Sequence, residues 1–380
     1  MTLTVLMNAG PWLPVPPNGY GGIENVIATL VPELRRRGVR VVLSTVAAST
    51  LPVDDRVTLF DDGQFRHLLE PYNRVSGIAH AHLHRTLTAL RGRDDIDLVH
   101  DHVEVAGLST FAAASSRPSL HTLHWDLGKH REFYSTVDCG SRVWLNGVSA
   151  DQLRKAPPSL RRNVLGHVHL ATPLADRPEP SRMPEKAEHV VVLGRITPAK
   201  GQHIAIRVTK ELGLPLIMAG PVGPFHTRRG LDHALAADPS VQANPDVRYW
   251  HDQIAPHVDD RQVRWVGTVA DDQRDELLST ARAALFPLTW DEPGGTSVTE
   301  ALALGCPVIG YARGCLPELI DHGRTGLLAE PGDEDALIDH LVSSKTIDPV
   351  DCAREARRRF TPAVMAEGYL QLYEKILARA

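Results

Sequence analysis

The chain lacks the marks of several protein classes. Its four cysteines, at 139, 306, 315 and 352, form no CxxC pair. No Asn-x-Ser/Thr sequon occurs either, and the cysteine usage fits a reducing, cytoplasmic setting. No apolar run approaches the roughly 18 residues that span a bilayer. The start, Met1-Thr2-Leu3-Thr4-Val5-Leu6-Met7-Asn8, has no basic leader or small-residue cleavage site and reads as a first strand. A net charge of −5 and a pI near 6.4 leave no basic excess, so a nucleic-acid partner is not expected. No internal repeat is visible.

The glycine-rich phosphate motifs are missing too. Gly128-Lys129 is followed by His130, not by the serine or threonine of a P-loop. In Asn18-Gly19-Tyr20-Gly21-Gly22, the third glycine of a dinucleotide fingerprint is replaced by Glu24. A nicotinamide dehydrogenase and a P-loop ATPase are thereby disfavoured. Nineteen histidines raise the question of a metal. His80, His82 and His84 read as a surface cluster on a helix. His100-Asp101-His102 and His121-Thr122-Leu123-His124 lie at the ends of two predicted strands. No cysteine or glutamate accompanies them at zinc spacing, so no metal is expected. His124 reads as a polar residue at a central strand end, with a satisfied structural histidine as the alternative.

What is present is an alternation. The chain is 43% hydrophobic and 23% charged over 380 residues, enough for two ordinary domains. Short apolar strands at residues 3–8, 39–45, 97–100, 119–123 and 142–148 alternate with amphipathic helices. The first helix, from Ile23 to Leu34 and closed by Arg35-Arg36-Arg37-Gly38, contains Pro32, which predicts a kink or an early end. A proline-rich polar stretch, 173–187, reads as a linker. The pattern then restarts with strands at 189–193, 214–219, 263–266, 284–287 and 307–310, interrupted by a polar insertion over 220–260. The chain closes on an amphipathic helix from 361. This predicts two doubly wound α/β domains, residues 1–172 and 188–360, with parallel sheets.

One stretch concentrates the chemistry. Trp290-Asp291-Glu292-Pro293-Gly294-Gly295-Thr296-Ser297-Val298-Thr299-Glu300 takes a strand through a glycine turn into a helix. A helix start offers free N–H groups to a phosphate, and glycine lets the ligand approach the backbone. Two carboxylates beside such a site suit the hydroxyls of a sugar attached to the phosphate. A surface turn with two solvated glutamates is the alternative. Gly194-Arg195-Ile196-Thr197-Pro198-Ala199-Lys200-Gly201 adds a second strand-to-helix turn with two cations, which suit a diphosphate or, equally, an exposed basic loop. Cys306 and Cys315 read as packing residues. Trp125 either stacks on a sugar or an acceptor or belongs to the core.

Several pieces occur in one order. They are Gly21-Gly22-Ile23-Glu24-Asn25-Val26, Thr122-Leu123-His124, Gly194-Arg195 with Lys200-Gly201, Glu292-Pro293 with Gly295 and Glu300-Ala301, Gly314 with Pro317-Glu318, and His322-Gly323-Arg324-Thr325-Gly326-Leu327-Leu328. In that order, over essentially the whole length, the chain resembles the family 4 retaining glycosyltransferases of GT-B fold. The resemblance implies two Rossmann-like domains facing a cleft, with the acceptor on the N-terminal side and a nucleotide-diphosphate sugar (UDP or GDP) on the C-terminal side. It also implies that a helix spanning 361–380 returns to the N-terminal domain. By the same resemblance Arg195 and Lys200 hold the diphosphate, Glu292 the transferred sugar and Glu300 the ribose. The N–H groups of Gly295, Thr296 and Ser297 meet sugar and phosphate, His124 reaches the sugar, and Gly21 and Gly22 border the phosphates. Transfer with retention at the anomeric carbon follows, with the leaving phosphate assisting acceptor deprotonation and no metal or other cofactor required. Gly294 departs from the large apolar residue of many relatives, which puts donor shape in doubt.

Two alternatives stand beside this reading, a catalytically inactive binding subunit of GT-B fold and a nucleotide-sugar isomerase. The cofactor-lysine motif expected of a phosphorylase is not found. Arg35-Arg36-Arg37, Arg74, Arg85, Arg91 and Arg93 raise a membrane surface as a partner, against the ordinary reading of a solvated helix face.

Overall fold

The computed structural model describes residues 2–19, 21–178 and 183–379. The chain forms two compact units. One holds everything up to Ala171 and again from Pro362; the other is Thr172–Thr361. Within the stretch read as a linker, residues 179–182 lie outside the described residues. Pro173–Asp176 makes one short 3-10 turn, capped by Thr172.

The first unit is built on a seven-stranded sheet, all parallel. Its strands are β1 (Thr4–Asn8), β2 (Arg40–Thr45), β3 (Asp55–Thr58), β4 (Leu98–Asp101), β5 (Ser119–Thr122), β6 (Val143–Gly147) and β7 (Val164–His167). Their order is β3-β2-β1-β4-β5-β6-β7. The second unit carries β8 (Val190–Leu193), β9 (Leu216–Ala219), β10 (Val263–Gly267), β11 (Ala283–Phe286), β12 (Val308–Tyr311) and β13 (Gly326–Ala329), in the order β10-β9-β8-β11-β12-β13 and again parallel. Central strands such as β1 and β8 are apolar runs buried on both faces, as parallel sheets covered by helices require. The expected α/β class with two Rossmann-like parallel sheets is what the chain adopts. The order reverses beside β1 and β4 in one sheet and beside β8 and β11 in the other. Those reversals open crevices at the carboxyl ends of the strands, where ligands of such sheets bind.

The helix Gly22–Arg36 runs unbroken through Pro32, against the expected kink or early end. It buries Val26, Ile27, Leu30, Val31 and Leu34. Each such side chain is worth roughly 1.5–3 kcal/mol, and together they outweigh the roughly 3 kcal/mol that an internal proline costs. The basic run at its end is paired: Arg35 to Asp54 at 3.1 Å, Arg36 to Glu33, and Arg37 to Glu367 at 3.2 Å. The C-terminal helix Pro362–Leu377 packs on this helix and buries Met365, Ala366, Tyr369, Leu372, Tyr373 and Ile376 along one face. Its Tyr373 hydroxyl meets His100 Nδ1 at 2.7 Å.

Other local readings shift. The polar insertion holds the helices Arg228–Ala237 and Pro245–Tyr249, followed by one π-type turn at Trp250–Ile254. The short strands β3 and β7 carry little apolar signal because they are sheet edges. No helix among the described residues is long and apolar enough to cross a membrane.

Candidate functional site

In the second unit the crevice is assembled from the loops that leave β8 and β11. Gly201 is left-handed at φ +70°, and a Cβ there would lie 1.9 Å from the Pro287 carbonyl oxygen. Only glycine lets the two loops touch. The Thr289 N–H then donates to Ala199 O at 3.1 Å, and its hydroxyl to Pro198 O at 2.9 Å. This seam brings Lys200 against Glu292, and the two form an ion pair. The Trp290 indole N–H donates to the same Glu292 carboxylate at 3.1 Å.

The loop after β12 supports Glu292 from behind. The Cys315 N–H donates to Glu292 O at 2.8 Å, and Gly314, at φ +59°, sits so close that a Cβ would come 2.3 Å from Glu292 N. Arg313 is paired with Asp291 at 2.6 Å. The helix Thr296–Ala303 begins at left-handed Gly295 with no side-chain cap, which leaves its first N–H groups facing the pocket. Lys200, Glu292, Gly295, Thr296 and Ser297 line one pocket, together with Leu288. An ammonium, a carboxylate and open helix N–H groups thus converge. The ammonium in this set disfavours a divalent cation and favours an anion that carries hydroxyls.

Two expected residues stand apart. Glu300, one turn along the same helix, is partly buried, and desolvation raises its carboxyl above the ordinary range, opposed by Arg274 at 3.4 Å. Arg274 was not singled out from the sequence, where it looks like any charge on the exposed face of helix Asp271–Thr280. Arg195 leaves β8 close by but is half exposed, and its nearest carboxylate is Asp246 at 3.9 Å. Cys306 and Cys315 are fully buried, and burial pushes the Cys306 thiol up to about 11, in keeping with packing residues.

In the first unit Gly21 caps the helix Gly22–Arg36, and Gly22 is its first residue. The crevice beside β1 and β4 is filled by a polar network. Asn8 Nδ2 donates to Asp101 at 2.7 Å, and Asp101 also meets His121 Nδ1 at 3.0 Å. Asn8 Oδ1 meets His82 Nε2 at 2.7 Å, so His82 is buried rather than part of the expected surface cluster; His80 and His84 are exposed. His82 is turned inward by its place on the apolar face of helix Tyr72–Arg91.

His124, just beyond β5, is half-buried and shares a hydrogen bond of 2.9 Å with His102 Nδ1. Burial brings His124 down to about 4, so it is neutral at physiological pH. Trp125 beside it is exposed, with the Lys129 ammonium 3.7 Å from its ring centre. It belongs to the surface, not the core.

The comparisons agree with this architecture. The family profile described as Glycosyl transferases group 1 matches residues 176–359, and that of Glycosyltransferase Family 4 matches residues 20–157. The chain is 25% identical to the alpha-maltose-1-phosphate synthase of Mycolicibacterium smegmatis, over 96% of this chain and 97% of that one. It is 24% identical to the phosphatidyl-myo-inositol mannosyltransferase of Mycobacterium leprae, over 94% and 93%. Its fold matches that of Anabaena HepE, solved in complex with UDP-glucose, with a TM-score of 0.66 and 17% identity over 98% and 100% of the two chains. One profile matches within each unit, and the chain belongs to the family 4 glycosyltransferases of GT-B fold.

Proposed function

We propose that this glycosyltransferase moves a sugar from a nucleotide-diphosphate sugar to an acceptor with retention at the anomeric carbon, in the cytoplasm and without a metal. The single observation that carries the donor reading is the Lys200–Glu292 pair at the open start of helix Thr296–Ala303. Lys200 and the helix N–H groups suit the diphosphate, and Arg195 supplies a second cation at the same carboxyl end of the sheet. Glu292 accepts hydrogen bonds from the hydroxyls of the transferred sugar, and Glu300 from those of the ribose. His124, as a neutral imidazole, contacts the sugar, and Gly21 and Gly22 border the phosphates. As the sugar–phosphate bond breaks, negative charge grows on the leaving nucleotide. Lys200, Arg195 and the N–H groups of Gly295, Thr296 and Ser297 stabilise that charge, which is the main protein contribution to rate. The leaving phosphate takes the acceptor proton, so no protein base is assigned. That Anabaena HepE binds UDP-glucose makes UDP and UDP-glucose the first probes.

A thermal-shift series with UDP, GDP and their glucose and mannose conjugates tests the reading. A ligand that binds the folded chain raises its unfolding midpoint, more so the tighter it binds. A rise with at least one of them, lost in Lys200→Ala, is the expected result. A midpoint that no nucleotide or nucleotide sugar moves sinks the donor site.

A further inference from the structure

Glu104 is a buried, fully partnered carboxylate of the first unit that the proposed chemistry does not use. It opens the helix Glu104–Ala114, and its backbone is left-handed at φ +50°. That conformation costs a residue with a side chain about 1–2 kcal/mol, which a glycine would avoid. The position is therefore justified by what the side chain reaches. The residue is only 5% exposed. One oxygen accepts from the N–H groups of both His124 and Trp125, the latter at 3.0 Å, and the other accepts the Tyr134 hydroxyl at 3.0 Å.

The same turn is held from its carbonyl side. Gln152 Nε2 donates to Leu123 O at 2.9 Å and to Trp125 O at 2.7 Å, while its Oε1 accepts the Val148 N–H at 2.8 Å. The start of the Glu104 helix is anchored in turn. The Val103 N–H donates to Asp101 at 3.1 Å, and Gly107 packs so closely that a Cβ would lie 2.1 Å from that carboxylate. We infer that Glu104 is the positioning residue for His124 and Trp125, its carboxylate gripping from inside the turn that presents both side chains.

The grip depends on charge. Hydrogen bonds to an ionised carboxylate are roughly twice as strong as neutral ones. Burial brings Glu104 up to about 7, the Asp101 charge adds to the rise, and the His124 and Trp125 N–H groups and the Tyr134 hydroxyl oppose it. His100, His102, His121, His124 and His130 are other titratable groups on the elements around it, and burial lowers His100 and His130. Burial holds His102 well below its usual range and His124 near 4, so neither changes charge between pH 6 and 8. Protonation of Glu104 in that interval loosens the turn, and ionisation tightens it.

The inference rests on the proposed function only for its catalytic consequence. The grip itself is read without substrate, from backbone amide resonances of the full chain. In the wild type the His124 and Trp125 amides are expected to titrate together with a midpoint near pH 7. In Glu104→Gln that titration vanishes and both amides exchange with solvent about tenfold faster, the loss of about one hydrogen bond. Tyr134→Phe keeps the carboxylate but removes one donor, so it moves the midpoint upward by about half a pH unit. It serves as the test if Glu104→Gln does not fold. Amides that do not move between pH 6 and 8, a titration that survives in Glu104→Gln, or an unmoved midpoint in Tyr134→Phe overturns the inference. Full turnover in His124→Ala would instead remove the sugar-contact role and leave the grip to its own titration.

Discussion

Lys200 and Glu292 lie 92 residues apart in sequence and are joined as an ion pair in the crevice between β8 and β11. Each neutralises the other before a donor arrives. In the proposed reaction a diphosphate takes over the ammonium and a sugar hydroxyl takes over the carboxylate. On that proposal, donor binding and release of this pair are one event.

Lys200→Ala is expected to lower donor turnover by roughly a hundredfold or more, and Arg195→Ala likewise, as for the loss of one donor to a developing charge. Glu292→Gln separates the two jobs. It frees the ammonium, so affinity for the bare nucleotide diphosphate is kept or improved while sugar transfer falls. Titration calorimetry with UDP and GDP, beside turnover, checks both. A Glu292→Gln variant that loses nucleotide affinity would contradict the competing-pair picture.

Arg274 is the cation beside the partly buried Glu300. Arg274→Leu removes it, and the Glu300 carboxyl rises further because burial is then unopposed. A protonated Glu300 accepts ribose hydroxyls poorly. Nucleotide affinity should fall in the variant and be regained as pH rises, which the same calorimetry at two pH values reads directly. Equal affinity in the variant and the wild type argues against a ribose role for Glu300.

Gly201→Ala would force a Cβ into the Pro287 carbonyl at a left-handed backbone. A loss of about 3 kcal/mol or more, or failure of the second unit to fold, is expected in denaturant titrations. Gly22 has open space around the site of a Cβ, and Gly22→Ala should leave the unfolding midpoint unchanged or slightly raised.

His82 is buried neutral, brought down to about 4 by burial alone. Its unfolded value is near 6.5. The unfolded chain binds the extra proton first, so stability contributed by neutral His82 is fully present above about 6.5 and is lost as pH falls towards 4. At pH 5 the loss is about 2 kcal/mol from this residue. His82→Gln should shrink the drop in stability between pH 7 and pH 5 by about that amount, measured by denaturant midpoint at each pH. An unchanged drop would mean that other groups carry the acid sensitivity.

Much of the candidate site was visible as local pattern. The strand, glycine turn and helix start around Glu292-Pro293-Gly294-Gly295 announce themselves within a dozen residues, as do Gly194-Arg195 and Lys200-Gly201. His82 was misread as a surface residue because three alternating histidines on a helix do not say which one faces inward. That depends on how Tyr72–Arg91 rotates against the sheet. Pro32 was misread because propensity is local, whereas the helix that contains it is held by the burial of its opposite face. Arg274, Gln152 and Glu104 carry no motif, since their partners lie far away along the chain.

The alternation of apolar strands with amphipathic helices determined by itself the two parallel sheets, since side-chain periodicity is a property of neighbouring residues. The glycines determined where loops turn close to one another. Which charges meet was decided only by the tertiary structure. The strand order places β8 beside β11 and so sets Lys200 on Glu292, and it places β4 beside β5 and so sets Glu104 beneath His124. An electrostatic or hydrogen-bonded contact depends on distances of a few ångströms, and such distances between remote residues exist only once the sheet is assembled.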